Sequence, residues 1–196
     1  MSVEEVLDEV LRDEVYYKAS GGGLTVSGGE PMAQFDFTLA LLRQAKEAGL
    51  HTCLETCGFA PADHMAQVAS CVDLFLYDYK LTDPELHEKY TGVSNKRILS
   101  NLSMLDDMGA RIVLRCPVIP TVNDTPEHFR GIAETANRLR NICGIDVEPY
   151  HPLGSGKAAQ LGRDYPLRGL SFPEKATVDL WIADIAARTD VPVRKG

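Results

Sequence analysis

The chain has 196 residues, of which 44% are hydrophobic and 24% are charged, as is ordinary for globular proteins and unlike disordered, collagen-like or coiled-coil chains. Asp and Glu outnumber Lys and Arg by 28 to 20, and without a basic block this balance argues against nucleic-acid binding. No apolar run approaches the length of about 18 residues that spans a membrane. Residues 1–10 lack the basic and apolar regions of a signal peptide, so we expect a cytoplasmic protein without a membrane segment.

In chain order, the sequence first predicts a helix at residues 1–17, because apolar residues recur there every three or four positions. Ser2 and Glu5 match the capping-box pattern at its start. A glycine run and a short strand at residues 24–26 follow. We then predict helices at residues 35–48, 61–69, 83–90, 94–108, 126–140 and 174–188, and strands at 51–56, 72–79, 111–119, 145–150 and 191–193. Residues 155–169 are predicted to form a loop.

The cores of these strands are nearly continuous apolar runs, a pattern typical of parallel strands that are buried on both faces. Helices that alternate with such strands indicate an α/β fold. The periodicity leaves two architectures open, a partial (β/α) barrel and a doubly wound open sheet. The chain length, at about 150 residues per domain, and the lack of an internal linker predict a single domain over residues 1–196.

Glycine, polar or charged residues stand at the carboxyl end of each main strand. Because these ends meet at one edge of a parallel sheet, we expect the residues to converge on one ligand site. The candidate residues are Gly28, Gly29, Glu30, Glu55, Thr56, Asp78, Lys80, Arg115 and His151.

The chemistry of these residues suits a ligand with an amine, a carboxylate and a sugar. The two glycines free backbone groups for close approach, and Glu30 can accept hydrogen bonds from an ammonium group. Strand alternation puts Asp78 and Lys80 on one face, where they can bind a hydroxyl and a carboxylate. His151 can bond a ribose or a carboxylate. Each pattern alone is also typical of a plain turn, a surface ion pair or a loop histidine.

The five cysteines do not indicate a disulfide framework, because their number is odd and the chain is long enough to fold without one. Cys71, Cys116 and Cys143 lie in or beside apolar runs and are predicted to be small core residues. The spacing of Cys53 and Cys57 puts both side chains on the same face of a strand.

The run GGGLTVSGGEP at residues 21–31 resembles the signature of the glycyl-radical enzyme activating enzymes. This family belongs to the radical S-adenosylmethionine superfamily and includes the pyruvate formate-lyase activating enzymes. Further matches follow in order at residues 54–59, 76–80, 90–92, 101–102, 115–120, 123–124 and 149–154, with Lys157. Because the matches extend in a fixed order over nearly the whole chain, the resemblance is specific.

The resemblance implies a partial (β/α)6 barrel that uses S-adenosylmethionine and a [4Fe-4S] cluster. In the family, the cluster cleaves the cofactor reductively, and the 5′-deoxyadenosyl radical takes a hydrogen atom from a glycine of a partner enzyme. The implied partners are therefore a glycyl-radical enzyme and a flavodoxin-type or ferredoxin-type reductant.

The resemblance also implies roles for the candidate residues. The methionine amino group is assigned to Gly28, Gly29 and Glu30. The ribose and the methionine carboxylate are assigned to Asp78, Lys80 and His151. Glu55 and Thr56 match a strand end near the sulfonium, where the resemblance implies Asp in place of Glu55 and a monovalent cation bound with the residue that matches Asp78. Arg115 is implied to face the substrate.

The sequence departs from the family at the cluster motif C-x-x-x-C-x-x-C, which the resemblance places well before the Gly-Gly-Glu loop. None of the 27 residues before Gly28 is a cysteine, and Cys53 and Cys57 are followed by Ala60 where a third cysteine would stand. A cluster with one open iron needs three thiolates. We therefore expect the C-terminal portion of an activating enzyme, without its first strand and cluster loop and incomplete for catalysis alone.

Two other interpretations stay open from the sequence. One is a non-catalytic module that binds S-adenosylmethionine or docks a partner, and the other is an unrelated (β/α) enzyme with a coincidental Gly-Gly-Glu loop. If the first strand is missing, the strand at residues 24–27 has an unpaired edge, which predicts self-association. The loop at residues 155–169 or the tail at residues 191–196 would prevent this by folding across the edge.

Overall fold

The computed structural model describes residues 1–152, 162, 167 and 169–196. The strands are β1 (Gly23–Val26), β2 (His51–Thr56), β3 (Leu74–Asp78), β4 (Ile112–Val118), β5 (Ile142–Pro149) and β6 (Val193–Lys195). The helices are α1 (Val3–Leu11), α2 (Glu14–Ser20), α3 (Phe35–Glu47), α4 (Ala62–Ala69), α5 (Pro84–Thr91), α6 (Lys96–Asp107), α7 (Pro126–Arg138) and α8 (Lys175–Ala186), with a 3₁₀ turn at Pro31–Gln34. Most of the predicted loop at residues 155–169 lies outside the described residues.

Several helices begin at the residues that the sequence indicates. Ser2 and Glu5 form the predicted capping box, with bonds of 2.8 and 3.2 Å between side chain and backbone. Asp83 caps α5 by accepting from two backbone N–H groups of its first turn, and Thr125 caps α7. The single helix predicted for residues 1–17 is instead two helices, which meet at Asp13, a residue type that favours helix starts over helix interiors.

The strands form one six-stranded parallel sheet in the order β1-β2-β3-β4-β5-β6. Helices connect successive strands, as parallel pairing requires. Among the described residues, β1 and β6 are the two edges, so the sheet does not close. The predicted α/β fold, with parallel strands in a partial (β/α) barrel, is confirmed.

The two faces of the sheet differ, and this corrects the expectation that the strands are buried on both. On the face against the helices, Leu54, Phe75, Tyr77 and Leu114 are fully buried. The other face is mixed: Cys53 and Val113 are buried there, whereas the residues of β3 on this face are partly exposed. The residues that give it charge are Glu55, Asp78 and Arg115. This face is free to bind polar groups.

The C-terminal tail, one of the two segments that would prevent self-association by covering the edge of β1, does not cover it. It forms β6, which pairs with β5 at the opposite edge. Within the described residues, β1 pairs only with β2. The prediction that Cys143 is a core residue is also wrong: it is exposed, whereas Cys71 and Cys116 are buried as predicted.

Candidate functional site

The candidate residues converge at the carboxyl ends of the strands. A cavity of about 380 Å³ is lined by Glu55, Asp78, Lys80, Arg115 and His151, together with Pro117, Ile119 and Tyr150. A smaller cavity of about 140 Å³ is lined by Gly28, Gly29, Glu30, Glu55, Thr56, Asp78 and Lys80. Because the two cavities share Glu55, Asp78 and Lys80, we treat them as one feature, the strand-end cleft.

The loop after β1 presents bare backbone to this cleft. Gly28 has a φ of +131°, which residues with a side chain rarely adopt. Nothing lies within 4 Å of the position that a Cβ atom would take at Gly28 or Gly29. A ligand can therefore approach the peptide groups of both glycines closely.

The carboxylate of Glu30 is held by three hydrogen bonds. Oε1 accepts from the Thr56 hydroxyl at 2.7 Å and from the Met32 N–H at 3.1 Å, and Oε2 accepts from the Cys57 N–H at 2.8 Å. A carboxylate offers about four lone-pair positions, so one is left for a ligand. Thr56 is 2% exposed, and its hydroxyl is engaged by Glu30 at the wall of the smaller cavity.

Asp78 and Lys80 form an ion pair in the cleft, with 3.3 Å between Oδ2 and Nζ. Burial raises the pKa of Asp78, although the neighbouring Lys80 ammonium opposes that shift. The Lys80 side chain is still 39% exposed, so its ammonium can bind an anionic group of a ligand.

Arg115 lies between two glutamates. Its Nε and Nη2 donate to Oε1 of Glu148 at 2.9 and 2.6 Å, and its Nη1 pairs with Glu55. The Ser27 hydroxyl donates to Oε2 of Glu55 at 2.9 Å. Burial alone would lower the pKa of Arg115, but the bonds and charges of the glutamates raise it overall. Arg115 thus neutralises acidic groups of the cleft.

The sequence reasoning missed Glu148. The available signal was the alternation of Asp146 and Glu148 within the predicted strand at residues 145–150, which places both carboxylates on one face. His151, which was among the candidates, follows β5 as an exposed residue that lines the larger cavity. Residues 153–154 and Lys157, which carry part of the family resemblance, lie outside the described residues.

The cysteines beside the cleft do not suit a thiolate-held cluster. Burial raises the pKa of Cys53, and burial together with the Glu30 carboxylate raises the pKa of Cys57 to about 11. Within the described part of the chain, no group of three or more His, Cys, Asp or Glu side chains is arranged to hold a metal ion. Cys53 and Cys57 are two cysteines, whereas a [4Fe-4S] cluster with one open iron needs three thiolates, so the described residues beside the cleft do not make up a full ligand set.

A family model described as the radical SAM superfamily matches residues 1–136. The chain is 40% identical over 196 residues to the choline trimethylamine-lyase activating enzyme of Oleidesulfovibrio alaskensis. It is 37% identical to the pyruvate formate-lyase-activating enzyme of Listeria monocytogenes, over 91% of this chain and 75% of that relative. The chain belongs to the glycyl-radical enzyme activating enzymes of the radical SAM superfamily. The predicted family is thereby confirmed.

This radical SAM chain spans less than two thirds of several relatives. The alignment with the Oleidesulfovibrio alaskensis enzyme covers 98% of this chain and 63% of the relative. A crystal structure of a domain of pyruvate-formate lyase-activating enzyme from Bacteroides vulgatus has the same fold, with a TM-score of 0.73 at 23% identity, over 89% of this chain and 99% of that domain. Within the described residues, no helix combines the length and apolar character needed to cross a membrane.

Proposed function

We propose that this chain forms the S-adenosylmethionine-binding core of a glycyl-radical enzyme activating enzyme. The observation that supports it most is the convergence of open glycine backbone, the Asp78–Lys80 pair and His151 on the strand-end cleft. These groups complement an ammonium, a carboxylate and a ribose, which are polar parts of that cofactor. We also propose that the chain is a single domain and that it is cytoplasmic. All five cysteines are free, which supports a cytoplasmic location because thiols stay reduced there.

Each part of the cleft has a binding role in this proposal. The peptide groups of Gly28 and Gly29, with the remaining lone pair of Glu30, receive the methionine amino group. Lys80 binds the carboxylate, while Asp78 and His151 bind the ribose.

The acidic side of the cleft faces the sulfonium in this proposal. Glu55 and Asp78 place negative charge beside that positive centre, where opposite charges attract. Arg115 limits the repulsion between the glutamates on either side of it. Thr56 contributes indirectly by fixing Glu30.

When bound, S-adenosylmethionine supplies the hydrogen-abstracting chemistry of this superfamily. For the whole protein, hydrogen abstraction from a glycine of a glycyl-radical enzyme, with a flavodoxin-type or ferredoxin-type reductant, is part of the proposal. Because Cys53 and Cys57 are one thiolate short of the three that a cluster needs, a second candidate applies to this chain by itself. It is a module that binds S-adenosylmethionine, or docks a partner, without cleaving the cofactor.

Calorimetry with S-adenosylmethionine tests the binding proposal. Lys80→Ala should weaken binding by about 1.5–3 kcal/mol, the range for a hydrogen bond to a charged group. The matched control is Lys175→Ala, which removes another ion-paired lysine, 2.7 Å from Asp179 on the exposed side of α8. Equal affinity of the wild type and Lys80→Ala would show that the carboxylate binds elsewhere, and a lack of any binding would reject the proposed function.

A further inference from the structure

Lys80 lies beyond the part of β3 that the sheet holds. The strand ends at Asp78, and the next bond to β4 runs from the Tyr79 N–H to the Arg115 carbonyl at 2.7 Å. Lys80 nevertheless lines both cavities of the strand-end cleft, and a further one of about 400 Å³ beside it. Some structure other than the strand ladder must therefore fix the backbone that carries this ammonium group.

Two buried asparagines supply that structure. Nδ2 of Asn123 donates to the Lys80 carbonyl at 2.8 Å. Nδ2 of Asn95 donates to the carbonyls of Leu81 and Thr82 at 3.1 and 3.0 Å. Each asparagine is 3% exposed. Three consecutive carbonyls after β3 are thus bound by side-chain amides from other parts of the chain, a role that sheet partners would otherwise fill.

Asn123 also binds the end of β4. Its Nδ2 donates to the Pro117 carbonyl at 2.7 Å, and its Oδ1 accepts from the Ile119 N–H at 2.7 Å. Pro117 and Ile119 line the larger cavity. The buried amide of Asn123 therefore connects the backbone of Lys80 to the Pro117–Ile119 wall of the cleft. Both its N–H donors and its carbonyl oxygen make hydrogen bonds.

We propose that Asn123 is a positioning residue that sets where the Lys80 ammonium stands relative to Asp78 and to the Pro117–Ile119 wall. Releasing the Lys80 carbonyl frees the peptide that carries the side chain, while β3 itself keeps its pairing. Low-dielectric surroundings make these bonds costly to lose. The consequence for cofactor affinity rests on the proposed function, whereas the consequence for the Lys80–Asp78 geometry does not.

Nuclear magnetic resonance of the lysine side chains tests the geometry without any ligand. Lys80→Ala identifies the Lys80 Cε–Nζ signal, and Asp78→Asn shows where it moves when the ion pair is lost. Asn123→Asp keeps an acceptor for the Ile119 N–H and removes both amide donations. We expect it to move the Lys80 signal toward the Asp78→Asn position, and Asn123→Ala to do the same.

The control is Asn141→Ala at the amino end of β5, where Nδ2 donates to the Asp106 carbonyl at 2.8 Å. This variant should lose stability and leave the Lys80 signal in place. An unmoved Lys80 signal in folded Asn123 variants would overturn the proposal. Loss of folding in both Asn123 variants would overturn it as well, because the residue would then serve the whole fold and not Lys80.

A double-mutant cycle on S-adenosylmethionine affinity completes the test. Asn123→Asp should weaken binding about tenfold in the wild type and have little effect in the Lys80→Ala background. Equal losses in both backgrounds would mean that Asn123 does not act through Lys80. If the wild type binds no S-adenosylmethionine, the proposed function fails, and the lysine signals still decide the role of Asn123.

Discussion

The hydroxyl of Thr56 donates a hydrogen bond of 2.7 Å to Oε1 of Glu30. This contact joins the end of β2 to the loop after β1, at residues that are 26 positions apart in the chain. The same hydroxyl oxygen accepts from the Gly58 N–H at 3.0 Å. The buried Thr56 hydroxyl therefore connects a carboxylate of the cleft to the loop that leads to α4.

Thr56→Val should lower the free energy of unfolding by about 1–3 kcal/mol, because it leaves the buried Gly58 N–H without its acceptor and removes a donor to a carboxylate. Thr56→Ser keeps the hydroxyl and should lose less. Urea unfolding of the three proteins measures the difference. If the valine variant is as stable as the wild type, the hydroxyl contributes nothing to the fold.

His128 should make the protein less stable as the pH falls from 6.5 toward 4. Burial lowers the pKa of His128 from 6.5 to about 4. The unfolded chain therefore takes up a proton in this interval while the folded chain does not, and stability that is complete above pH 6.5 is lost below it. The loss is about 3 kcal/mol for a shift of this size.

The measurement is urea unfolding at several pH values for the wild type and His128→Asn. The asparagine Oδ1 can replace Nδ1, which accepts from the Thr82 N–H at 3.2 Å. The variant should be less stable at neutral pH because a cavity forms, but its stability should change less between pH 6.5 and 4. Parallel pH curves for the two proteins would contradict the assignment.

Anaerobic reconstitution with iron and sulfide should leave these 196 residues well short of the four irons of a cluster. The reason is that a cluster with one open iron needs three thiolates, whereas Cys53 and Cys57 are the two cysteines beside the cleft. Cys53→Ser and Cys57→Ser should not change the iron content. A content of about four irons per chain that these substitutions abolish would refute the prediction.

The purified chain should self-associate through the edge of β1, because within the described residues only β2 pairs with that strand. Thr25→Lys places a charge on an exposed position of the strand and should reduce association, whereas Ala183→Lys, at an exposed position of α8, should not. Light scattering at several concentrations measures the effect. A monomer at high concentration, with slow amide exchange along residues 24–27, would mean that the edge is covered.

The sequence by itself was sufficient to identify most of the charged residues that gather in the cleft, with Glu148 as the exception. Gly28, Asp78 and Lys80 stand at strand ends, and parallel strands connected by helices bring those ends to one edge of the sheet. The start of α1 at Ser2 is likewise local, since its capping box involves residues only three apart. Such features depend on chain order and short-range geometry, which a sequence displays directly.

Only the tertiary structure decided which partners each of these residues meets. The Arg115–Glu148 bond joins residues 33 apart, and the Asn123–Lys80 bond joins residues 43 apart. Their contact depends on the register of neighbouring strands and on where the loops after β3 and β4 cross. A two-residue alternation tells which side chains share a face, but it does not tell which side chain on the next strand or loop lies opposite. For that physical reason, only the folded chain shows that Glu30 accepts three hydrogen bonds. The same holds for the hydrogen bond from Asn123 to the Lys80 carbonyl.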